Sequence, residues 1–309
     1  MVQMYHENMA ATLSAFTSDD ARERYLATVR RLIGRYWPVE RTETHVPTSF
    51  GDTYVIRSGG GDGVPFFLLP GSGGGCVMWY PYVAELGRDR PVYAVDPIGE
   101  PGQSTQTEPI TGGADWSRWL SEVLDGLGLD RVHLVGTSYG AWVAVQHELD
   151  RPGRAASITL VDPGGFGRVT RRFMAWIMLS GLASFTPRPI RHRAATLLNN
   201  ATLKYDDVHE LVGGLFRFRR RLPMPGTFTD EELRRIGTPT LALFGERSQM
   251  LDADAVAARM RSLLPDVRTV VVPDAGHDLI LHSPELITGE IRGFAAQRPG
   301  GQTKEGSRR

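Results

Sequence analysis

Val132-His133-Leu134-Val135-Gly136-Thr137-Ser138-Tyr139-Gly140-Ala141-Trp142 is the stretch on which the reading of this chain turns. An apolar run passes into Gly-x-Ser-x-Gly and then into Ala-Trp-Val-Ala-Val-Gln, which predicts a short buried strand, a sharp turn and a helix. In that setting a serine sits on a strained turn with its hydroxyl exposed, so Ser138 is the candidate nucleophile. A chain that reverses from strand to helix within a few residues brings positions 136 and 140 together, and only small residues fit there. The Tyr139 N–H opens the helix, where the dipole favours negative charge, and is a candidate oxyanion donor. The plain alternative is a structural turn without chemistry; the flanking strand and helix patterns count against it.

At 309 residues and 41% hydrophobic content, the chain can bury a large core as one substantial domain with insertions. Its net charge of zero gives no overall field that favours nucleic acid or a membrane. Cys76 is the single cysteine, so neither an internal disulfide nor a thiolate metal site can be built, which fits a reducing cytosol. Residues 1–20 show no basic segment followed by an apolar core, and no apolar run approaches membrane-spanning length. A soluble cytoplasmic protein without metal or organic cofactor is expected. Lys204 and Lys304 are the only lysines, and arginine cannot supply a Schiff-base amine or a lowered-pKa base, so lysine chemistry is nearly excluded.

Residues 1–40 are expected to form an N-terminal accessory region whose helix, 18–36, turns Tyr25, Leu26, Val29, Leu32 and Ile33 to one face. Residues 43–57 alternate about Phe50-Gly51-Asp52 as two strands and a tight turn. Strands at Phe66 to Leu69, Val92 to Asp96, Val132 to Val135, Ile158 to Asp162, Thr240 to Phe244 and Thr269 to Val272 then alternate with helical stretches. Short strands apolar on both faces belong in a mostly parallel sheet covered by helices on both sides, with ligands at the strands' carboxyl ends. The core is assigned to 41–164 and 226–297. Between its halves, residues 165–225 carry 11 basic residues against 3 acidic ones, with apolar helical pieces broken by Pro and Gly, and are read as an inserted helical lid. Residues 298–309 lack apolar anchors and are expected to be disordered.

A serine hydroxyl needs a base within hydrogen-bond reach, and the base needs a third group to orient it. His277, in Pro-Asp-Ala-Gly-His-Asp after the last strand, is the candidate base, with the chain order Ser, acid, His. His282 lies where a helix begins and His133 inside a strand, so both are read as structural. In Leu69-Pro70-Gly71-Ser72-Gly73-Gly74-Gly75 the glycines let backbone approach a substrate closely; the Ser72 N–H is the candidate second oxyanion donor, with Gly73 as the alternative. A phosphate-binding loop would need Gly-Lys-Ser/Thr, which is absent.

Leu-Pro-Gly-Ser-Gly-Gly-Gly, Met-Trp-Tyr-Pro, Tyr-Ala-Val-Asp-Pro-Ile-Gly, Gly-Thr-Ser-Tyr-Gly, Leu-Phe-Gly-Glu and Asp-Ala-Gly-His follow one another over residues 40–297. In that order and spacing they resemble an α/β-hydrolase of the bacterial carboxylesterase type. The resemblance implies an α/β-hydrolase fold with a mostly parallel eight-stranded sheet flanked by helices, and a Ser-His-acid triad. Pro70 stands where the family usually has a histidine, which removes a side chain but not a backbone donor. The family commonly places its acid three residues after the glycine of Phe244-Gly245-Glu246-Arg247-Ser248, and that position is a serine. Asp162, ending an earlier strand where some relatives carry a relocated acid, is the candidate. Its alternative reading is a strand-end aspartate ordering the Pro163-Gly164-Gly165 turn. Glu246 and Asp252 are the other acids within reach of an inward-bending loop, and Asp96 is expected to order its own loop.

These readings converge on a serine hydrolase that cleaves a carboxylic ester or related acyl substrate through an acyl-enzyme on Ser138. The basic residues of 165–225 either favour an anionic substrate or form a solvated face. The second reading is non-hydrolytic chemistry on the same fold, acyl transfer, elimination or cyclisation in a biosynthetic pathway, suggested by the missing acid at Ser248. The third is a ligand-binding protein without turnover. Nothing in the sequence sets an oligomeric state.

Overall fold

The computed structural model describes residues 13–167 and 169–298, for Asp207 its backbone only. The tail expected to be disordered lies outside the described residues except for Arg298, and so do the first twelve residues of the N-terminal region. From Leu13 the chain gives β1 (Ala15–Phe16) and α1 (Asp19–Tyr36), then the hairpin of β2 (Arg41–Thr48) and β3 (Gly51–Ser58). After β4 (Phe66–Leu69) and a 3-10 turn at Cys76–Trp79 come α2 (Val83–Leu86), β5 (Val92–Val95) and the two-residue β6 (Thr105–Gln106). α3 (Gly113–Gly126), β7 (Val132–Thr137), α4 (Tyr139–Asp150) and β8 (Ala155–Val161) follow. The strand–helix rhythm then breaks for α5 (Arg171–Ser184), α6 (Arg188–Leu197), α7 (Asp206–Leu215) and β9 (Phe218–Arg219). It resumes with α8 (Asp230–Arg234), β10 (Thr240–Gly245), α9 (Ala253–Leu263), β11 (Val267–Val272), α10 (Leu279–His282) and α11 (Pro284–Ala296).

The main sheet runs β11-β10-β8-β7-β4-β5-β3-β2, parallel from β11 to β5 and antiparallel beyond. All eight expected strands are present. The sheet nevertheless has nine, because β6 adds two residues to β3. That strand is too short to carry an alternating pattern, which is why eight were expected. The hairpin turns at Ser49-Phe50 rather than around Gly51, which has a φ of 121° and opens β3.

Strand side chains alternate between two buried faces, as the period of two requires. Phe67, Leu69, Leu134, Ala242 and Phe244 pack with α3, α4 and α9 on one side; Phe66, Leu68, Val135, Leu241 and Leu243 pack with α1, α2 and α11 on the other. Trp116 and Trp119 of α3 are both fully buried and meet edge-to-face at 5.1 Å. Buried side chains of this size contribute about 1.5–3 kcal/mol each by area. α1 starts where Ser18 Oγ accepts the Ala21 N–H at 3.1 Å, and it buries Tyr25, Leu26, Val29, Leu32 and Ile33 in the second layer. The parallel order leaves the carboxyl ends of β4, β7, β8, β10 and β11 at one edge, where the chemistry-bearing side chains collect.

Candidate active site

Ser138 joins β7 to α4 with φ 49° and ψ −109°, a conformation a non-glycine residue holds only when its surroundings fix it. Three backbone bonds do so: Ser138 N–H to Val161 O (3.0 Å), and the N–H groups of Gly164 (3.0 Å) and Trp142 (3.2 Å) to Ser138 O. The two flanking glycines are demanded by sterics. A Cβ at Gly136 would lie 2.5 Å from the backbone of Gly140 and Ala141, and one at Gly140 would lie 2.3 Å from Leu69 O. Asp162 likewise holds a positive φ, 43°.

These bends bring three distant residues into one hydrogen-bonded chain. Ser138 Oγ lies 3.2 Å from His277 Nε2, and His277 Nδ1 lies 2.6 Å from Asp162 Oδ2. A carboxylate can only accept, so Nδ1 carries the proton and Nε2 is the acceptor that faces the serine. Asp162 is fully buried. Its Oδ1 accepts the Gly245 N–H at 3.1 Å and its Oδ2 accepts the Ser248 hydroxyl at 2.7 Å. The serine at position 248 therefore sits against the carboxylate that comes from β8. Glu246 instead accepts the Asp274 N–H at 2.9 Å, and Asp252 caps α9 through the Ala255 N–H at 3.0 Å. Neither carboxylate is hydrogen-bonded to His277 among the described residues.

Gly71 lies under the serine, where a Cβ would come to 3.4 Å from Ser138 Cβ. Ser72 and Tyr139 line the same cavity, and neither backbone N–H has an acceptor among the described residues. Gly73 is different, because its N–H donates to Glu100 Oε2 at 3.0 Å. The alternative oxyanion donor is thus already engaged, a correction that a glycine-rich loop read without its neighbours could not supply. Glu100 Oε1 also accepts Arg220 Nε at 2.8 Å, and the Arg220 guanidinium stacks 4.7 Å over the Tyr139 ring. Burial pushes the Glu100 carboxyl above the usual range while Arg220 opposes it. Burial also pushes the Tyr139 phenol up to about 12, against Arg220, which lowers it; its hydroxyl accepts from Trp116 and donates to Pro223 O, both at 2.9 Å.

A cavity of about 600 Å³ opens over Ser138, walled by Met78, Phe173, Met174, Trp176, Ile177, Met224, Met250, Leu251, Ile280 and Leu281. Phe173 and Trp176 of α5 meet the His277 ring edge-to-face at 5.0 and 6.1 Å. The stretch after α6 is tied to the His277 loop at several points. Asp278 accepts the Thr202 N–H (2.7 Å) and hydroxyl (3.1 Å), Asn199 donates to Asp274 O (2.9 Å) and Tyr205 donates to Leu281 O (3.2 Å). Gln249 bridges the two, accepting the His277 N–H at 3.1 Å and donating to Leu198 O at 3.1 Å. Burial raises the Asp278 carboxyl above its ordinary range.

Three residues take structural positions, as read. His133 is buried in β7 with Nδ1 2.7 Å from Ser157 Oγ, His282 pairs with Ser283, and Asp96 accepts the N–H groups of Cys76 and Gln103 at 2.7 Å each. Sequence reasoning missed Glu100, Phe173, Trp176 and Gln249. Glu100 had a signal, an acid just past the carboxyl end of β5; the others reach the site only through long-range packing.

The sequence model of the alpha/beta hydrolase family matches residues 66–289. An uncharacterized carboxylesterase, nap, of Bacillus subtilis (strain 168) is 30% identical over 271 residues, 84% of this chain and 88% of that protein. Carboxylesterase YbfK of the same organism is 29% identical, over 84% and 89% of the two chains. The crystal structure of naproxen esterase from Bacillus subtilis superposes with a TM-score of 0.80 at 28% identity, covering 90% of this chain and 99% of the other. The fold, the strand-to-helix serine and the extent of these matches lead to one conclusion, that the chain belongs to the alpha/beta hydrolase family.

Proposed function

We propose that the protein is a carboxylesterase that hydrolyses neutral, largely apolar esters through an acyl-enzyme on Ser138. The observation that carries the proposal is the hydrogen-bonded chain Ser138–His277–Asp162 at the floor of an apolar cavity. His277 Nε2 takes the Ser138 proton as Oγ attacks the ester carbon, and the Ser72 and Tyr139 N–H groups receive the developing oxyanion. His277 returns the proton to the departing alcohol, then deprotonates the water that releases the acid. Asp162 orients His277 through Nδ1 and stabilises the imidazolium. Each oxyanion donor contributes about 10²–10³ in rate.

The relatives named carboxylesterases support the reaction class. The non-hydrolytic reading is not favoured by these relatives, and the Asp162 carboxylate 2.6 Å from His277 supports an acid in place of the one missing at Ser248. Residues 165–225 act in this proposal as the lid, since α5 supplies Phe173, Met174, Trp176 and Ile177 to the cavity wall. Of the described basic residues of this segment, Arg220 alone lines the cavity, and its charge is matched by Glu100, which supports a neutral rather than an anionic substrate. The proposal includes a reducing, cytoplasmic setting, supported by the buried free Cys76.

Turnover of p-nitrophenyl butyrate tests it. The wild type is expected to release nitrophenol at neutral pH, and Ser138→Ala to lose about 10⁴-fold or more. A wild type that does not turn over any short or medium p-nitrophenyl ester contradicts the proposal.

A further inference from the structure

The face that α5 turns away from the cavity is apolar and exposed. Met178 and Leu182 lie one turn apart and Phe185 caps the helix end, so the three share one face. They are 63, 62 and 71% exposed. Phe216, at the end of α7 and also exposed, packs on Phe185 with ring centroids 4.7 Å apart and widens the patch. Ala183 is the one buried residue of α5. A helix in a soluble fold ordinarily buries its apolar stripe, and a contiguous exposed one marks a contact surface.

Charge says what kind. From Gly165 to Tyr205 there is no aspartate or glutamate. Arg171 and Arg172 open α5, Arg188 and Arg193 lie on α6, and Arg217 follows Phe216; all five are exposed. Asp206 and Glu210, the acids that come next with a described side chain, are already paired, with Arg188 and Arg191 and with Arg31. Arg171, Arg172, Arg193 and Arg217 have no ion pair among the described residues. The chain's zero net charge conceals this concentration of positive charge around an apolar patch.

We propose that this face docks on an anionic phospholipid bilayer, with Met178, Leu182 and Phe185 in the acyl boundary and the arginines among the headgroup phosphates. A nucleic-acid partner would use the arginines and leave the methionine, leucine and phenylalanine stripe unsatisfied. A second copy of the chain, packed face to face, would set the same basic residues against one another. The proposal does not rest on the esterase reading, because it uses the outer face of α5 and not the cavity.

Flotation of the full-length protein with vesicles tests it. The wild type is expected to float with phosphatidylcholine vesicles containing about 30% phosphatidylglycerol, to stay behind with pure phosphatidylcholine, and to be released by about 0.5 M salt. Met178→Glu/Leu182→Glu and Arg171→Glu/Arg172→Glu should each weaken binding about tenfold or more, with an unchanged thermal midpoint showing that the fold is kept. Equal binding to neutral vesicles, no binding, or variants that bind like the wild type would overturn the proposal. So would a wild-type dimer that Met178→Glu/Leu182→Glu converts to monomer, which would assign the face to a second copy.

Discussion

Ser248 donates its hydroxyl to Asp162 Oδ2 over 2.7 Å, onto the oxygen that also faces His277 Nδ1 at 2.6 Å. The carboxylate comes from the end of β8, and a neutral donor stands beside it after β10. A hydrogen bond to a charged group contributes about 1.5–3 kcal/mol.

Ser248→Ala is accordingly expected to lower kcat for p-nitrophenyl butyrate by about 10-fold with little change in KM. Ser248→Asp restores an acid at the family's usual place but sets two carboxylates together in a buried site, where one must take a proton. Its kcat is expected to fall below that of Ser248→Ala. A gain in kcat for Ser248→Asp would show that Asp162 does not serve His277.

Glu100 holds the Gly73 N–H with one oxygen and Arg220 with the other. Glu100→Gln leaves the Arg220 charge without its partner and loosens the loop that carries Ser72. The expected result is a kcat loss of about tenfold and a lower thermal midpoint. Glu100→Gln/Arg220→Gln should recover part of the midpoint, since removing both members of a buried pair is milder than stranding one.

Stability should also report on two buried histidines remote from the chemistry. Burial lowers His133 and His147 from 6.5 to about 4. Below pH 6.5 the unfolded chain takes up protons that the folded chain refuses until about pH 4, so stability falls as pH drops through that window. Chemical denaturation of the wild type against His147→Asn, at pH 7 and at pH 4.5, isolates one of them. The stability difference between the two proteins should shift by about 2 kcal/mol in favour of the variant at the lower pH. An unchanged difference would mean that His147 titrates normally.

Much of this site was legible in the chain because strand ends are local features. Ser138, His277 and Asp162 each follow an apolar run, and a parallel sheet sends all such ends to one edge. The strand count fell short by β6, two residues with no pattern of their own. Gly73 was misjudged because its N–H is taken by Glu100, 27 residues away in sequence. Phe173 and Trp176 lie in an apolar helical piece of residues 165–225, but their contact with His277 depends on how the segment after β8 folds back. Local pattern fixes an element; it does not say which neighbour the element will meet.

The rate at which a fluorophosphonate labels Ser138 tests the central claim most directly, because it reads the activated serine without any assumption about substrate. The account predicts a single adduct mapped to Ser138, formed about 10³-fold or more slowly in Asp162→Asn, with Glu246→Gln and Asp252→Asn labelled at the wild-type rate. Labelling of Asp162→Asn as fast as the wild type, or an adduct on any other residue, would contradict it.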